Sequence, residues 1–441
     1  MLDLERSRRI LSLALPIMAA MASQSLLNLV DAIMVGSLGG AALAAVGIGG
    51  YANFMAISLV LGLGAGVQAL VARRKGEGLR EVYAEPLNAG LMLGALICLP
   101  VLLFFLTFAG DLVRLLNSDT AVQTLAEPYL IARVCGVFAV AMNFSYRGYW
   151  NGINRSGVYL RTLVCVHVFN VVISYGLIYG AYGLPALGST GAGIGTTLAL
   201  YLGSALYLFQ TWREGRRHGF LQRLPSRRTF AGIVRVSAPN SLQQLLFSGG
   251  LTVLFWIIGS VGTAEVAVAH VLITLILLLI LPAIGLGLSA TSLVGQALGR
   301  RDAEDAYRWG WDVTRLAIPL LGLMAMPMWL APDLILGVFL HDPTLIELGR
   351  LPLMITGLAI CLDGIAIVFT QALLGAGAAR SVMLVTLCVQ WFFFLPLAYI
   401  IGPVLGAGLL GIWLLQAGQR LLTSTLLGWL WKRRRWASIE L

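Results

Sequence analysis

Long uninterrupted apolar runs constrain this chain more than any other feature. Segments 89–109, 316–330 and 384–401 carry no charged residue, and they approach or reach the ~20 residues with which an α-helix crosses a hydrocarbon core. Of 441 residues, 59% are hydrophobic and only 11% charged, against roughly 25% charged in a soluble domain. A water-soluble fold of that composition would have no surface, so the runs are read as membrane spans. The 51 glycines suit close helix–helix approach where lipid removes the hydrophobic drive between helices.

Charged and Gly/Pro punctuation divides the chain into twelve expected helices, near 10–35, 46–72, 86–108, 122–147, 157–180, 191–212, 232–258, 266–297, 306–330, 346–375, 381–401 and 408–431. The expected fold class is therefore an all-α integral membrane protein. The net charge of +10 does not point to nucleic acid, because the basic residues sit in short segments on one side of the spans. They are Arg6, Arg8 and Arg9, then Arg73 to Lys75, Arg155 and Arg161, the 213–228 segment, Arg300 and Arg301, Arg380, and Lys432 to Arg435. By the positive-inside rule that side, with both termini, is cytoplasmic. The opposite loops hold Asp111, Asp119, Glu265, Asp333 and Asp342, with Arg114 and Arg350 as exceptions. Multi-pass insertion in the cell inner membrane is expected, as a monomer in the lipid bilayer.

Arg6 to Arg9 followed by LALPIMAAMAS imitates a secretory signal, but the apolar stretch continues to Val35 and a similar segment recurs at residue 239. Cys98, Cys135, Cys165, Cys361 and Cys388 lie in apolar runs without metal-like spacing and are read as packing residues rather than disulfides.

A shift of 223 residues superimposes Pro16 on Pro239, Gly36-Ser37 on Gly259-Ser260, Gly39 on Gly262, Gly62-Leu63-Gly64 on Gly285-Leu286-Gly287, and Gly76 on Gly299, without a gap. One offset spanning two helices and their flanking loops is an internal repeat. Six helices per half is an even number, so the halves are parallel repeats related by an axis along the membrane normal. The expected organisation is 1–212 as an N-terminal lobe, 213–231 as a basic cytoplasmic linker and 232–441 as a C-terminal lobe.

With LVDAIMVGSLGGAALAAVGI at 29–48, NVVISYGLIYG at 170–180, GAGIGTT at 191–197, LVGQALGRRD at 293–302 and CLDGIAIV at 361–368, the chain resembles the multidrug and toxic compound extrusion (MATE) family over essentially its whole length. IARVCG at 131–136, LDG at 362–364 and GQRLL at 418–422 look more like the DinF branch than the NorM branch. NorM-like members carry a glutamate eight residues after the helix 7 proline, where this chain has Phe247. The resemblance implies a V-shaped bundle of two lobes that exports cationic or amphipathic compounds in exchange for protons or sodium ions.

Asp31 is the sharpest candidate for the coupling chemistry. It lies five residues before Gly36, about 7 Å inside the helix end at 1.5 Å per residue, where an ionised acid is costly unless paired, hydrated or protonated. With Gln24 and Asn28 it forms a polar stripe at spacings of four and three. Ser174, six residues before Gly180, and Thr196, five after Gly191, share its depth, with Asn170 one turn deeper. The resemblance implies that Asp31, Asn170 and Thr196 belong to a cation-binding cluster in the first lobe. The family's second aspartate is replaced here by Ser174, which favours proton coupling through Asp31 over sodium. Asn170 and Thr196 also suit ordinary interhelical hydrogen bonding.

In the second lobe, Asp363 near the middle of helix 10 and Arg420 near the middle of helix 12 share a depth, and a buried ion pair is expected of them. Asn151, Gln243 and Gln244, with Gln24 and Asn28, are candidates for substrate contact. Arg133, about three turns into helix 4, reads as a snorkelling side chain, and His167 as a packed hydrogen bonder. Pro16 and Pro239 remove backbone hydrogen bonds and permit bending.

No phosphate-binding loop, HExxH or paired cysteine site is present, so the expected protein is not an enzyme and needs no cofactor or tightly bound metal. It is expected to be a secondary active antiporter with small amphipathic or cationic substrates, coupled to H+ or Na+ and working by alternating access of the two lobes. A flippase of a lipid-linked precursor is the nearest alternative, and a membrane scaffold or membrane-embedded enzyme a more remote one.

Overall fold

The structure, a computed structural model, describes residues 3–222, 224–340 and 342–441. Among them no strand occurs, and twelve long helical elements follow one another. They are α1 (Leu4–Gly36), α2 (Gly40–Gly76), α3 (Glu85–Leu116), α4 in two pieces (Thr120–Val134 and Val137–Gly152), α5 (Ser156–Tyr179), α6 (Gly188–Gly215), α7 (Arg227–Gly259), α8 (Thr263–Gly299), α9 (Ala303–Leu330), α10 (Pro343–Gly375), α11 (Ala379–Val404) and α12 (Gly408–Lys432). Ten are individually long and apolar enough to cross a membrane, and the bent α4 pair adds an eleventh. The twelfth, α12, has 25 residues, about 38 Å of helix, which also exceeds a hydrocarbon core.

The repeat is visible in the helix boundaries. α1 and α7 both have 33 residues and α2 and α8 both have 37. Each pair starts and ends 223 positions apart, as do α4, taken across its break, and α10.

By packing, the chain forms two compact units whose limits differ from the expected lobes. One comprises the segment ending at Met18 together with Gln243–Glu440, and the other Ala19–Leu242 with Leu441. Each unit thus contains the opening of the other repeat's first helix. The changes of unit fall just after Pro16 and Pro239, the prolines inside α1 and α7.

The repeated glycines show how these openings are seated. In the first-repeat unit a Cβ on Gly62 of α2 would collide with the Ser237 carbonyl and the Ser241 hydroxyl of α7. The Gly62 amide donates to Ser241 Oγ at 3.1 Å, and that hydroxyl donates to Leu59 O at 2.9 Å. In the second-repeat unit a Cβ on Gly285 of α8 would meet Met18 of α1. Met18 and Ser241 are repeat equivalents, so one close crossing is built twice.

The helix starts are also pinned twice, by different chemistry. Arg6 donates from Nε to Asp312 Oδ2 and from Nη1 to Asp305 Oδ1, both at 2.6 Å, with its guanidinium carbon 3.6 Å from the Trp309 ring centroid. Its repeat equivalent, Thr229, instead donates its hydroxyl to Glu85 Oε1 at 2.7 Å, and Arg74 pairs with the same carboxylate at 3.0 Å.

Three local departures from the expected helices have physical causes. Helix 4, expected as one span, bends by 43° between its pieces, at Cys135-Gly136, where the Gly136 amide bonds back to Arg133 O at 2.9 Å. Helix 11 carries wide π-helical turns at Cys388–Phe394 and Ile400–Val404, a geometry frequent at functional sites. In the basic 213–231 segment, residues 218–221 are docked rather than free. Tyr149 Oη lies 2.7 Å from His218 Nδ1, Asn88 donates to Gly219 O at 3.1 Å and accepts from the Leu221 amide at 3.1 Å, and Phe220 is buried. Two arginines of the opposite, acid-bearing loops pair with local acids, Arg114 with Asp111 and Arg350 with Asp333, each at 3.6 Å.

Candidate functional site

The polar stripe of α1 is linked to α5. Gln24 Nε2 donates to Asn28 Oδ1 at 3.1 Å, and Gln24 Oε1 lies 3.2 Å from His167 Nε2. His167 therefore bonds to a candidate substrate residue, a partnership its position in the sequence did not reveal. Closer to the helix end, Tyr179 of α5 donates to Met34 O at 2.8 Å and lies 2.6 Å from Ser37 Oγ. The α1 and α5 ends are thus neighbours, as depth along the helices requires.

Asp31 lies between these two contacts, half-buried. Its Oδ1 is buried and, among the described residues, without a hydrogen-bond partner. Val30, Met34 and Val35 beside it pack in one cluster with Tyr129 of the first α4 piece, and Arg133, one turn beyond Tyr129, is the charge that acts on Asp31. Arg133 Nε and Nη1 are buried without a hydrogen-bond partner among the described residues, so this side chain does not snorkel. The signal that could have found it was the i,i+4 pair Tyr129 and Arg133 inside an expected span.

The other members of the expected cluster are engaged with one another or with backbone. Ser174 Oγ donates to Asn170 Oδ1 at 3.3 Å, both residues being 1% exposed, and Ser174 is packed so tightly on Gly195 that no Cβ would fit there. Thr196 donates to Ala192 O at 2.9 Å within its own helix, while the adjacent Thr197 bonds across to Ala132 O at 2.8 Å. Among the described residues no hydrogen bond joins Asp31 to Asn170, Ser174 or Thr196. Nor do three or more His, Cys, Asp or Glu side chains converge anywhere among them. Asp31 thus has a guanidinium as its charged neighbour, while the neutral oxygens of Asn170, Ser174 and Thr196 are engaged with other partners.

In the other unit, Arg420 Nη1 of α12 lies 3.0 Å from Asp363 Oδ2 of α10, with side chains 10% and 16% exposed. The pair expected from shared depth is formed. Gln243 and Gln244 of α7 are half-buried, with Gln243 Oε1 lacking a partner among the described residues. Next to them the π-helical part of α11 grips α7, since Trp391 Nε1 donates to Leu246 O at 3.2 Å and Gln390 Nε2 to Phe247 O at 3.5 Å. Asn151, the remaining substrate candidate, is 1% exposed beside the fully buried Tyr149 and Trp150.

An all-helical chain of tandem six-helix repeats with isolated intramembrane charges defines a polytopic membrane transporter rather than an enzyme. The MatE family profile matches it twice, over residues 16–176 and 239–400, with starts again 223 apart at Pro16 and Pro239. The chain belongs to the MatE family. It is 28% identical over 420 residues, 93% of this chain and 90% of the relative, to a protein named probable multidrug resistance protein NorM from Synechococcus sp.. A Burkholderia vietnamiensis protein named multidrug resistance protein NorM is 26% identical, with 95% and 92% covered. The fold is similar to that of a structure described as the outward-facing conformation of a multidrug resistance MATE family transporter of the MOP superfamily, with TM-score 0.90, 23% identity, and 99% of this chain and 97% of that one covered. It is equally similar to a MOP superfamily transporter from Pyrococcus furiosus, with TM-score 0.89, 24% identity, and 98% and 96% covered.

Proposed function

We propose that this chain is a secondary active antiporter that exports small amphipathic or cationic drugs across the cell inner membrane as protons enter. The observation that carries the reading is Asp31, a carboxylate inside an apolar helix with a buried oxygen that no hydrogen bond satisfies among the described residues. A carboxylate in that position is held at high cost unless protonation or a cationic ligand relieves it. Membership in the MatE family and relatives named for multidrug resistance support the direction and the substrate class.

Proton coupling is read in preference to sodium coupling from Ser174, which leaves the Asn170 cluster with one carboxylate instead of two. Alternating access draws its support from Pro16 and Pro239, which sit beside the points where α1 and α7 change unit. Cytoplasmic termini follow from the basic segments, and a monomer is the simplest assembly. Gln24, Asn28, Asn151, Gln243 and Gln244 are the proposed substrate contacts. Phe247, standing where NorM-like members carry glutamate, speaks for the DinF branch, while the NorM names of the matched relatives speak against it.

Purified protein in liposomes loaded with a fluorescent cationic dye tests the reading. Imposing a proton gradient is expected to drive dye movement and a sodium gradient is not. Dye movement with sodium alone would replace the ion, and none with either gradient would remove the function.

A further inference from the structure

Arg133 is a charge inside a long apolar helix to which the proposed cycle gives no role. The 223-residue offset holds across α4 and α10 and places Arg133 on Thr356, which is 1% exposed and donates to Pro352 O at 2.9 Å while accepting from Trp413 Nε1 at 3.0 Å. The scaffold is therefore satisfied at this position by a small hydroxyl. A guanidinium there, with Nε and Nη1 buried and without hydrogen-bond partners among the described residues, is not a packing requirement. The same subtraction places Asp31 on Leu254. Asp31 and Arg133, two charges that the second repeat lacks, thus lie near one another, with Tyr129, 8% exposed and packed in one cluster with Val30, Met34 and Val35, beside both.

We propose that Arg133 is a tethered counter-cation of Asp31 that determines the choice of coupling ion, admitting a proton and excluding Na+. This rests on the reading of Asp31 as the coupling carboxylate. A metal ion needs several oxygens and net negative charge to replace its hydration shell. Here a guanidinium already places positive charge near the carboxylate, which opposes a second cation, Asn170 Oδ1 already accepts from Ser174, and Thr196 donates to Ala192 O. A proton needs one oxygen and no coordination shell.

The test is the thermal unfolding midpoint of the purified protein in 100 mM NaCl against 100 mM choline chloride, for the wild type, R133Q, R133M, R133K and the double variant R133Q/D31N. A ligand that binds only the folded state raises the midpoint. No sodium-specific rise is expected in the wild type, R133K or the double variant, and a rise of about 2 °C or more is expected in R133Q and R133M. A sodium-specific rise in the wild type, or folded R133Q and R133M with none, overturns the proposal. So does failure of both neutral variants to fold while R133K folds, because Arg133 would then be structural. Proton-driven dye export is read separately on the wild type. If export is absent while R133Q gains sodium binding, the exporter reading falls and the counter-cation stands.

Discussion

Arg420 Nη1 lies 3.0 Å from Asp363 Oδ2, whereas among the described residues Arg133 makes no such close ion pair with Asp31, whose Oδ1 is buried without a hydrogen-bond partner. One unit thus holds a closed acid–arginine pair within its long helices and the other an open one. The repeat offset maps Asp363 onto Val140 and Arg420 onto Thr197, so neither pair has a counterpart in the other half.

For the closed pair, Asp363→Asn and Arg420→Gln should each destabilise the protein by about 3 kcal/mol, because the partner is left charged and buried. The double substitution should be milder than the sum of the singles by about 1–2 kcal/mol. Midpoints of unfolding in detergent for the four proteins give this cycle. An additive double would show that the contact carries no coupling.

Arg6→Ala should free the first turns of α1. Arg6 is 22% exposed and its two acids 21% and 12%, so the loss is discounted for solvent screening to about 1–2 kcal/mol. Amide exchange in residues 4–18 should accelerate more than that of α9, to which Arg6 is tied. Uniform exchange rates would show that Asp305 and Asp312 do not hold the helix start.

The two close crossings predict paired substitutions with one sign. Gly62→Val and Gly285→Val each place atoms where α7 and α1 already lie, and each should cost about 1–3 kcal/mol by overpacking. Gly418→Ala on α12, where nothing lies within 4 Å of a Cβ, should instead be neutral or stabilising by up to about 1 kcal/mol. Thermal midpoints of the three variants, measured side by side, check the contrast.

These residues also show what could be read in advance. The spans and the repeat were legible because apolar length and a fixed offset are local, one-dimensional properties, and the helices of the first two repeat pairs begin and end at that offset. Asp363 and Arg420 were legible as partners because both are charges at one depth in apolar helices. The glycines at 62 and 285 were visible as a repeated pair, but their role depends on which helix crosses them, which sequence spacing does not encode. Arg133 was misread for a related reason. An arginine three turns into a span reads as snorkelling until the neighbouring helix is known. The bend at Gly136 and the π-helical turns of α11 carry no comparable composition signal.

The central claim is that Asp31 couples ion entry to export. Proton-driven transport of a fluorescent cationic dye by Asp31→Asn protein in liposomes tests it most directly, with the wild type and a thermal midpoint run alongside to show that the variant is folded. The account predicts that gradient-driven transport falls by at least about tenfold, the effect of about 1.4 kcal/mol, with folding retained. Full gradient-driven transport by folded Asp31→Asn would contradict it.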